Sequence, residues 1–419
     1  MAPDDIDVSR SGPPVPASRA TRTSYDAIPY QSAAFSQTHP DRLATLARMF
    51  GLSPPDVTAC RVLELGCAGG GNLIPMAVNL PDSEFVGIDL SQRQVDEAND
   101  AVGALGLRNI RIEQASILDV DEGWGQFDYL LCHGVFSWVE TAVQDKILQI
   151  ASANLSPDGI AYISYNTYPG WHMRDMVRHM MRYHAGQFEE PAEQIEQARA
   201  LLAFLASASQ GSGPYGELLT REVDRLGRAE DSYLFHEHLE QTNTPLYFHQ
   251  FVERAERAGL QYLSEASVSD MLTSRFPESV AATLERISPD ILHLEQYMDF
   301  VRNRLFRQTL QCELPGVGEA PRAEKAETER REPQRQRIRL GGGILPHVAT
   351  RSENRKRAMN GAVRHVEARG EIHQRHACAL VDERLYDIQA AFDGSGGHAR
   401  VRKEGKTSEE KAEEPSARQ

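Results

Sequence analysis

The sequence predicts an α/β fold in which a parallel sheet is covered on both faces by helices. Short apolar runs alternate with segments of helical periodicity between Cys60 and about Asn166. The first apolar run stops at a glycine cluster, residues 66–71. This alternation favours parallel pairing, because each parallel strand needs a long crossover connection to reach the next one.

Seven segments have the length and composition of strands, five before a long helical region and two after it. The predicted strands are 61–66, 84–90, 110–116, 127–132, 159–165, 259–265 and 306–312. Apolar residues recur every three to four positions over 41–50, 92–105 and 142–155, which predicts helices there.

The predicted domains follow from these elements. Residues 1–22, rich in Pro, Ser and Asp, form a flexible N-terminus. The α/β core occupies 23–171, a helical insertion occupies 172–250, and 251–312 return to the core. Residues 313–419 hold only two of the aromatic residues of the chain, Tyr386 and Phe392, and carry charged, low-complexity runs. Such a segment buries too little apolar surface to offset its ordering entropy, so we expect a mostly disordered tail.

Composition restricts the class of protein. The 419 residues are 41% hydrophobic and 25% charged, which is typical of a soluble globular protein. No run of 18 apolar residues occurs, so no transmembrane helix is expected, and the acidic start of the chain does not resemble a secretory signal. The 5 cysteines are odd in number and widely spaced, which predicts reduced thiols in the cytoplasm.

The charge is unevenly distributed along the chain. The net charge is −15, but residues 313–419 carry 21 basic and 18 acidic residues, which leaves −18 for residues 1–312. An acidic surface repels phosphate backbones and attracts basic partners. We therefore expect no nucleic-acid partner, and the lack of a long apolar run predicts no insertion into a membrane.

The glycine loop is the most informative motif. It runs Glu64-Leu-Gly66-Cys-Ala68-Gly-Gly70-Gly-Asn72, directly after the first predicted strand. Glycines allow positive φ and a close approach of backbone to a ligand. Asp89 ends the second predicted strand, 19 residues after Gly70. An acid at that place in a doubly wound sheet reaches ribose hydroxyls.

Two cofactor classes fit this loop. A dinucleotide site needs G-x-G-x-x-G, and here the middle glycine, which makes room for the pyrophosphate, is replaced by Ala68. The acid-x-G-x-G-x-G loop of S-adenosylmethionine (SAM) enzymes matches Glu64 to Gly70, with the same alanine for one glycine. Glu64 precedes the loop, where an acid can bind the amino group of SAM. This acid and the two closing strands favour SAM.

The loop and Asp89 together resemble the class I SAM-dependent methyltransferases. Four further segments resemble the bacterial branch of that family with a methyltransferase regulatory domain: 24–32, 38–43, 164–171 and 233–240. That branch includes protein-lysine methyltransferases that act on outer-membrane proteins. The resemblance covers about 23–312 and implies a seven-stranded Rossmann-like sheet, SAM-binding by the core, and a regulatory or substrate role for the helical insertion. The tail after Cys312 does not match the family.

The resemblance and the strand ends together imply the cofactor residues. These are Tyr30, Glu64, Gly66, Ala68, Gly70, Asn72, Asp89, Ser91, Ser116, Ile117 and His133. Tyr30 is assigned to an N-terminal lid. Ser116 flanks the adenine or only packs in its loop, and His133 either contacts the cofactor or accepts a proton.

The acceptor side is assigned to the ends of the fourth and fifth strands, with His133, Asn166, Tyr168 and Trp171 as catalytic candidates. Aromatic rings beside a sulfonium and an amine offer cation–π stabilisation and a dry channel. The alternative for Trp171 is packing of the insertion against the core. His236 and His238 are two apart rather than four, so no metal site is expected.

The implied function is methyl transfer from SAM to a protein lysine amine. The alternatives are a small-molecule methyltransferase with the insertion as a cap, and a non-catalytic SAM-binding regulator. A homodimer is compatible with the sequence.

Overall fold

The computed structural model describes Ile28 and residues 32–313. The predicted flexible N-terminus, the lid residue Tyr30 and the predicted tail beyond Glu313 lie outside the described residues. Among the helices that are described, none is both long and apolar enough to cross a membrane.

One seven-stranded sheet forms the centre of the described part of the chain. Its strands are β1 (Arg61–Leu65), β2 (Glu84–Asp89), β3 (Ile110–Gln114), β4 (Phe127–Cys132), β5 (Leu155–Asn166), β6 (Leu260–Glu265) and β7 (Phe306–Glu313). Their order is β3-β2-β1-β4-β5-β7-β6. The first five strands pair in parallel, and β7 pairs antiparallel to both β5 and β6. The predicted seven-stranded, Rossmann-like sheet is confirmed.

The helices connect the strands as the periodicity predicts. They are α1 (Pro40–Met49), α2 (Leu73–Asn79), α3 (Gln92–Leu105), α4 (Thr141–Ala153), α5 (Trp171–Ala185), α6 (Pro191–Ala208), α7 (Pro214–Leu226), α8 (Asp231–Leu234), α9 (Phe248–Arg257), α10 (Glu278–Ile287) and α11 (Ile291–Arg302). A π-helical turn, Phe235–Leu239, follows α8.

The residues at the two ends of helix α3 explain where it begins and ends. The Ser91 side chain accepts a hydrogen bond from the Gln94 backbone N–H at the N-terminus. At the other end, Gly106 adopts a left-handed conformation with φ of 66°. Both features stop a helix at a defined residue, and the predicted range 92–105 matches the observed one.

The helical insertion between β5 and β6 is present. Helices α5 to α8 and the π-helical turn form a hydrophobic cluster of their own, which includes Val177, Leu202 and Leu219. Helix α9 instead packs on the sheet, where Phe251 and Ala255 join the cluster that contains β4 and β5 residues. The expected boundary at residue 250 therefore falls inside α9.

A buried group of charged side chains lies where β6 and β7 pack against α11. Arg307 is fully buried and contacts Glu265, Glu295 and Asp299 at distances of 2.6–3.1 Å. A fully buried cation of this size requires such partners, because unpaired burial of a charge is costly.

Candidate functional site

The glycine loop leaves β1 with three left-handed residues. Gly66, Ala68 and Gly70 have φ values of 74°, 49° and 72°. A Cβ on Gly66 would lie 2.5 Å from Val135 Cγ2, so both the conformation and the space require glycine there. Ala68 adopts the same region with a side chain, which costs about 1–2 kcal/mol for an L-residue.

Asp89, at the end of β2, is fixed by two backbone amides. One carboxylate oxygen accepts a hydrogen bond from the Ala68 N–H and the other accepts one from the Ser91 N–H, each at 2.9 Å. These bonds tie the glycine loop to the neighbouring strand. Ser91 is buried and caps α3, so its hydroxyl serves the fold.

Glu64 lies on β1 and is almost completely buried, with 3% of its surface exposed. Its Oε1 accepts a hydrogen bond of 2.7 Å from the Asn72 side chain. Its Oε2 is buried and has no hydrogen-bond partner among the described residues. Burial raises the pKa of Glu64 to about 7, against the opposing effect of the Asn72 hydrogen bond. An ionised carboxylate here calls for a cationic ligand group.

The end of β3 lies beside Asp89. The Ala115 N–H donates to the Asp89 carbonyl at 3.0 Å. Ser116 accepts a hydrogen bond from the Leu118 N–H and so caps a short helical turn that contains Ile117. Sequence reasoning missed two exposed leucines near these strand ends, Leu90 (57% exposed) and Leu118 (52% exposed). A sequence pattern carries no signal for them, since a leucine at the end of a predicted strand or just after one predicts ordinary packing.

His133 follows β4 and is neutral near pH 7. Its Nδ1 lies 2.9 Å from the Tyr162 hydroxyl, and its ring is 4.0 Å from that of Phe35. Burial lowers the pKa of His133 to about 4. His133 is thus held by Tyr162 and presents an uncharged ring, rather than a positive charge, to its surroundings.

Residues 32–38 lie over the glycine loop. The Gly71 N–H donates to Ser32 Oγ at 2.7 Å. The Phe35 N–H and the Thr38 hydroxyl both donate to Asn72 Oδ1, at 3.0 and 3.1 Å. Neither Ser32 nor Phe35 was among the predicted site residues, because their partners are more than 30 positions away in the sequence.

Asn166, at the end of β5, belongs to a network of hydrogen-bonded side chains. It donates to Asn243 Oδ1 at 2.9 Å. Tyr168 donates to Asp175 Oδ2 at 3.2 Å, and Asn243 lies 3.4 Å from Asp175 Oδ1. Asp175 and Asn243 were not predicted, and together they connect the β5 end to the insertion.

The Tyr168 ring belongs to a partly exposed aromatic group. It stacks on His172 with centroids 4.0 Å apart and lies 5.3 Å from Tyr247. Burial, with Asp175 adding to it, raises the pKa of Tyr168 to about 12, so the hydroxyl stays protonated. Such a group can accommodate an alkyl chain that ends in a cation.

Trp171 occupies a different environment. It is 1% exposed at the start of α5 and packs edge-on against Trp138 at 5.9 Å. Trp171 therefore lies between the helical insertion and the end of β4, as expected if its role is to pack the insertion against the core.

The two histidines of the suspected metal motif face different partners. His236 Nε2 lies 2.6 Å from the Ile28 carbonyl, whereas His238 Nε2 lies 3.1 Å from Arg225. Within the described residues, no group of three or more His, Cys, Asp or Glu side chains could hold a metal ion.

Three features fit the amino-acid and ribose parts of the predicted cofactor. Glu64 Oε2 is an orphaned acceptor for an amino group. Asp89 is held at the end of the next strand, where ribose hydroxyls would lie. The loop between them keeps the required glycine conformations.

Comparisons with protein families agree with this geometry. A family model described as a methyltransferase domain matches residues 56–220. A second, described as a predicted methyltransferase regulatory domain, matches residues 230–313, which include β6 and β7.

Two similar proteins come from Rickettsia prowazekii. Uncharacterized protein RP789 of Rickettsia prowazekii is 48% identical over 294 residues, which cover 70% of this chain and 53% of that protein. Uncharacterized protein RP028 of the same organism is 40% identical over 246 residues, which cover 58% of this chain and 98% of that protein.

A solved structure, PKMT2 from Rickettsia typhi in complex with S-adenosylhomocysteine (AdoHcy), is 41% identical with a TM-score of 0.62. The match covers 68% of this chain and 55% of PKMT2. The chain thus spans about half the length of RP789 and of PKMT2. On the fold, the glycine loop and these matches, the chain belongs to the class I SAM-dependent methyltransferases that carry a methyltransferase regulatory domain.

Proposed function

We propose that this chain binds SAM at the ends of β1 and β2 and transfers its methyl group to a lysine amine of a protein acceptor. The observation that carries the cofactor assignment is Glu64 Oε2, a buried carboxylate oxygen without a partner among the described residues, beside the glycine loop. The amino group of SAM would satisfy it. The complex of PKMT2 with AdoHcy, at 41% identity, supports the same cofactor.

The residues around Glu64 would each contact a different part of the cofactor. Asp89 would accept hydrogen bonds from the ribose hydroxyls, since both carboxylate oxygens are already oriented by backbone amides. Leu90, Ile117 and the capped turn at Ser116 would flank the adenine. His133 would contact the cofactor as a neutral ring.

The lysine assignment rests on the acceptor side and on PKMT2, whose name denotes a protein-lysine methyltransferase. The ring group of Tyr168, His172 and Tyr247 is partly exposed and adjoins Asp175, a carboxylate. Rings and a carboxylate suit an ammonium group at the end of an alkyl chain. The charge of −18 over residues 1–312 also favours a basic segment of the acceptor.

SAM supplies a methyl group activated by a positively charged sulfur. The chain would hold the amine in line with that methyl group and exclude water, and positioning of this kind can contribute about 7–11 kcal/mol. A lysine amine must first lose its proton, because its free pKa is about 10.4. Burial among aromatic rings lowers that pKa and so favours the nucleophilic form.

Calorimetric titration with SAM tests the cofactor site. Asp89→Asn should weaken binding at least about tenfold, since one carboxylate oxygen is lost where ribose hydroxyls would bind. Asp100→Asn, on the exposed face of α3, is the matched control and should bind as the unaltered chain does. Absence of SAM binding by a folded sample would contradict the proposal.

Transfer of a tritiated methyl group into a bacterial extract tests the acceptor. Label in protein that hydrolyses to methyl-lysine is the expected result. Label confined to small molecules would favour the metabolite alternative. SAM binding with no transfer to any fraction would favour a non-catalytic regulator.

A further inference from the structure

Asn72 uses both ends of its side-chain amide within the protein. Its Oδ1 accepts hydrogen bonds from the Phe35 N–H and the Thr38 hydroxyl, at 3.0 and 3.1 Å. Its Nδ2 donates to Glu64 Oε1 at 2.7 Å. The Phe35 N–H on one side and the Glu64 carboxylate on the other fix the orientation of the amide, because exchanging its O and N atoms would place donor against donor and acceptor against acceptor.

This orientation determines which atom of Glu64 is left for a ligand. Asn72 engages Oε1, and Oε2 is then the buried oxygen without a partner among the described residues. Asn72 is itself only 3% exposed. Because both ends of its amide are already bonded within the protein, Asn72 acts on a ligand through Glu64 rather than by direct contact.

The same amide holds the segment that lies over the glycine loop. Thr38 is fully buried and divides its hydroxyl proton between Asn72 Oδ1 and the Phe35 carbonyl, at 3.1 and 2.8 Å. Ser32 adds a second attachment by accepting the Gly71 N–H. The Phe35 ring then covers His133 at 4.0 Å.

We propose that Asn72 is a positioning residue that couples attachment of residues 32–38 over the glycine loop to presentation of Glu64 Oε2 to the cofactor amino group. This inference rests on the proposed function and adds a role for a residue that makes no contact with the reacting atoms. Coupling between two events is reciprocal. The cofactor should therefore tighten the segment by the same factor by which the attached segment tightens the cofactor.

The test uses Thr38→Val, which removes the hydroxyl that donates to Asn72 Oδ1 and to the Phe35 carbonyl and keeps the volume of the side chain. We expect the dissociation constants of SAM and AdoHcy to rise about three- to tenfold by calorimetry. Thr38→Ser, which restores a hydroxyl, should bind close to the unaltered chain. Thr45→Val is the matched control, because its hydroxyl also donates to a backbone carbonyl, that of Asp41, but is exposed on α1.

Hydrogen exchange gives a readout that simple loss of stability would not produce. In the unaltered chain, saturating AdoHcy should slow exchange of the Phe35 amide by at least the factor by which Thr38→Val weakens binding, because that variant keeps the bonds made by Phe35 and Ser32. Asn72→Ala should abolish this slowing, with circular dichroism confirming that the variant is folded. If Asn72→Ala does not fold, the dissociation constants of Thr38→Val and Thr38→Ser still test the coupling.

The outcomes separate this inference from the proposed function. Normal SAM binding by the unaltered chain with an unchanged dissociation constant in Thr38→Val would overturn the coupling alone. AdoHcy binding that leaves Phe35 exchange unaltered would also overturn it. No SAM binding by the unaltered chain would overturn the proposed function and the inference together.

Discussion

Asp89 accepts the backbone N–H of Ala68 at 2.9 Å, and Ala68 holds a left-handed φ of 49°. The family motif has glycine at this place, and the alanine keeps the glycine conformation. The carboxylate that would bind ribose thus also helps to hold a strained residue of the loop. Strain at a ligand-binding loop persists where surrounding bonds fix the backbone.

Ala68→Gly should stabilise the folded chain. Removing Cβ relieves the left-handed strain, while the added freedom of the unfolded chain offsets part of the gain, so we expect about 0.5–1 kcal/mol in urea unfolding. The control is Ala101→Gly within α3, which should destabilise by about 1 kcal/mol because glycine weakens a helix interior. Equal effects of the two substitutions would contradict the argument from φ.

SAM affinity should depend on the ionisation of Glu64. Burial raises its pKa to about 7 in the free chain, and only the ionised form attracts the cofactor amino group. Below about pH 7, the dissociation constant should therefore rise up to tenfold per pH unit, since a proton must be released on binding. Calorimetry in buffers of different ionisation enthalpy would count that proton.

Glu64→Gln is the comparison for this pH dependence. The variant should bind SAM more weakly at pH 8 and lose the dependence between about pH 5.5 and 7. An unchanged slope in the variant would mean that another group titrates.

Trp171 and Tyr168 should differ in what their substitution changes. Trp171 is buried against Trp138, and Trp171→Ala should cost about 3–5 kcal/mol in unfolding free energy. Tyr168→Phe keeps the ring and removes the hydrogen bond to Asp175, so stability should fall by less than about 1 kcal/mol while methyl transfer changes. Chemical denaturation of both variants, followed by the transfer assay on Tyr168→Phe, checks this. A stability loss in Tyr168→Phe as large as that of Trp171→Ala would contradict the division of roles.

Glu295→Gln should stabilise the chain at high pH. Burial, reinforced by Glu265, raises the pKa of Glu295 to about 7, although Arg307 opposes the shift. The folded state therefore binds a proton more tightly than the unfolded state does, and this contribution to stability falls as pH rises from the unfolded value towards 7. The neutral amide removes the cost of the buried charge, so the variant should gain roughly 1–3 kcal/mol above about pH 7.5.

The control for that gain is the same pair at about pH 4, below the ordinary glutamate pKa of 4.5, where Glu295 is protonated in the folded chain and mostly protonated in the unfolded one, so that the two stabilities should converge. Thermal unfolding of both chains across this range measures the difference. Destabilisation of Glu295→Gln at every pH would show instead that the ionised carboxylate is needed by Arg307.

Local patterns were sufficient for much of the fold. The seven predicted strands fall on β1 to β7, and the range of α3 was predicted without error, because apolar alternation, caps and glycines act within a few residues. The glycine loop and Asp89 were predicted as cofactor residues for the same reason, since their proposed roles depend on short spacing along the chain.

The tertiary structure decided what depends on residues far apart in sequence. Thr38 and Phe35 donate hydrogen bonds to Asn72, more than 30 positions away in the sequence. Arg307 donates one to Glu265, which is 42 positions away. Tyr168 and Trp171 read alike in the sequence, yet one lies in a partly exposed ring group and the other is buried. Hydrogen bonds and packing between distant segments leave no periodicity in the sequence, so only the folded chain shows that Asn72 orients Glu64.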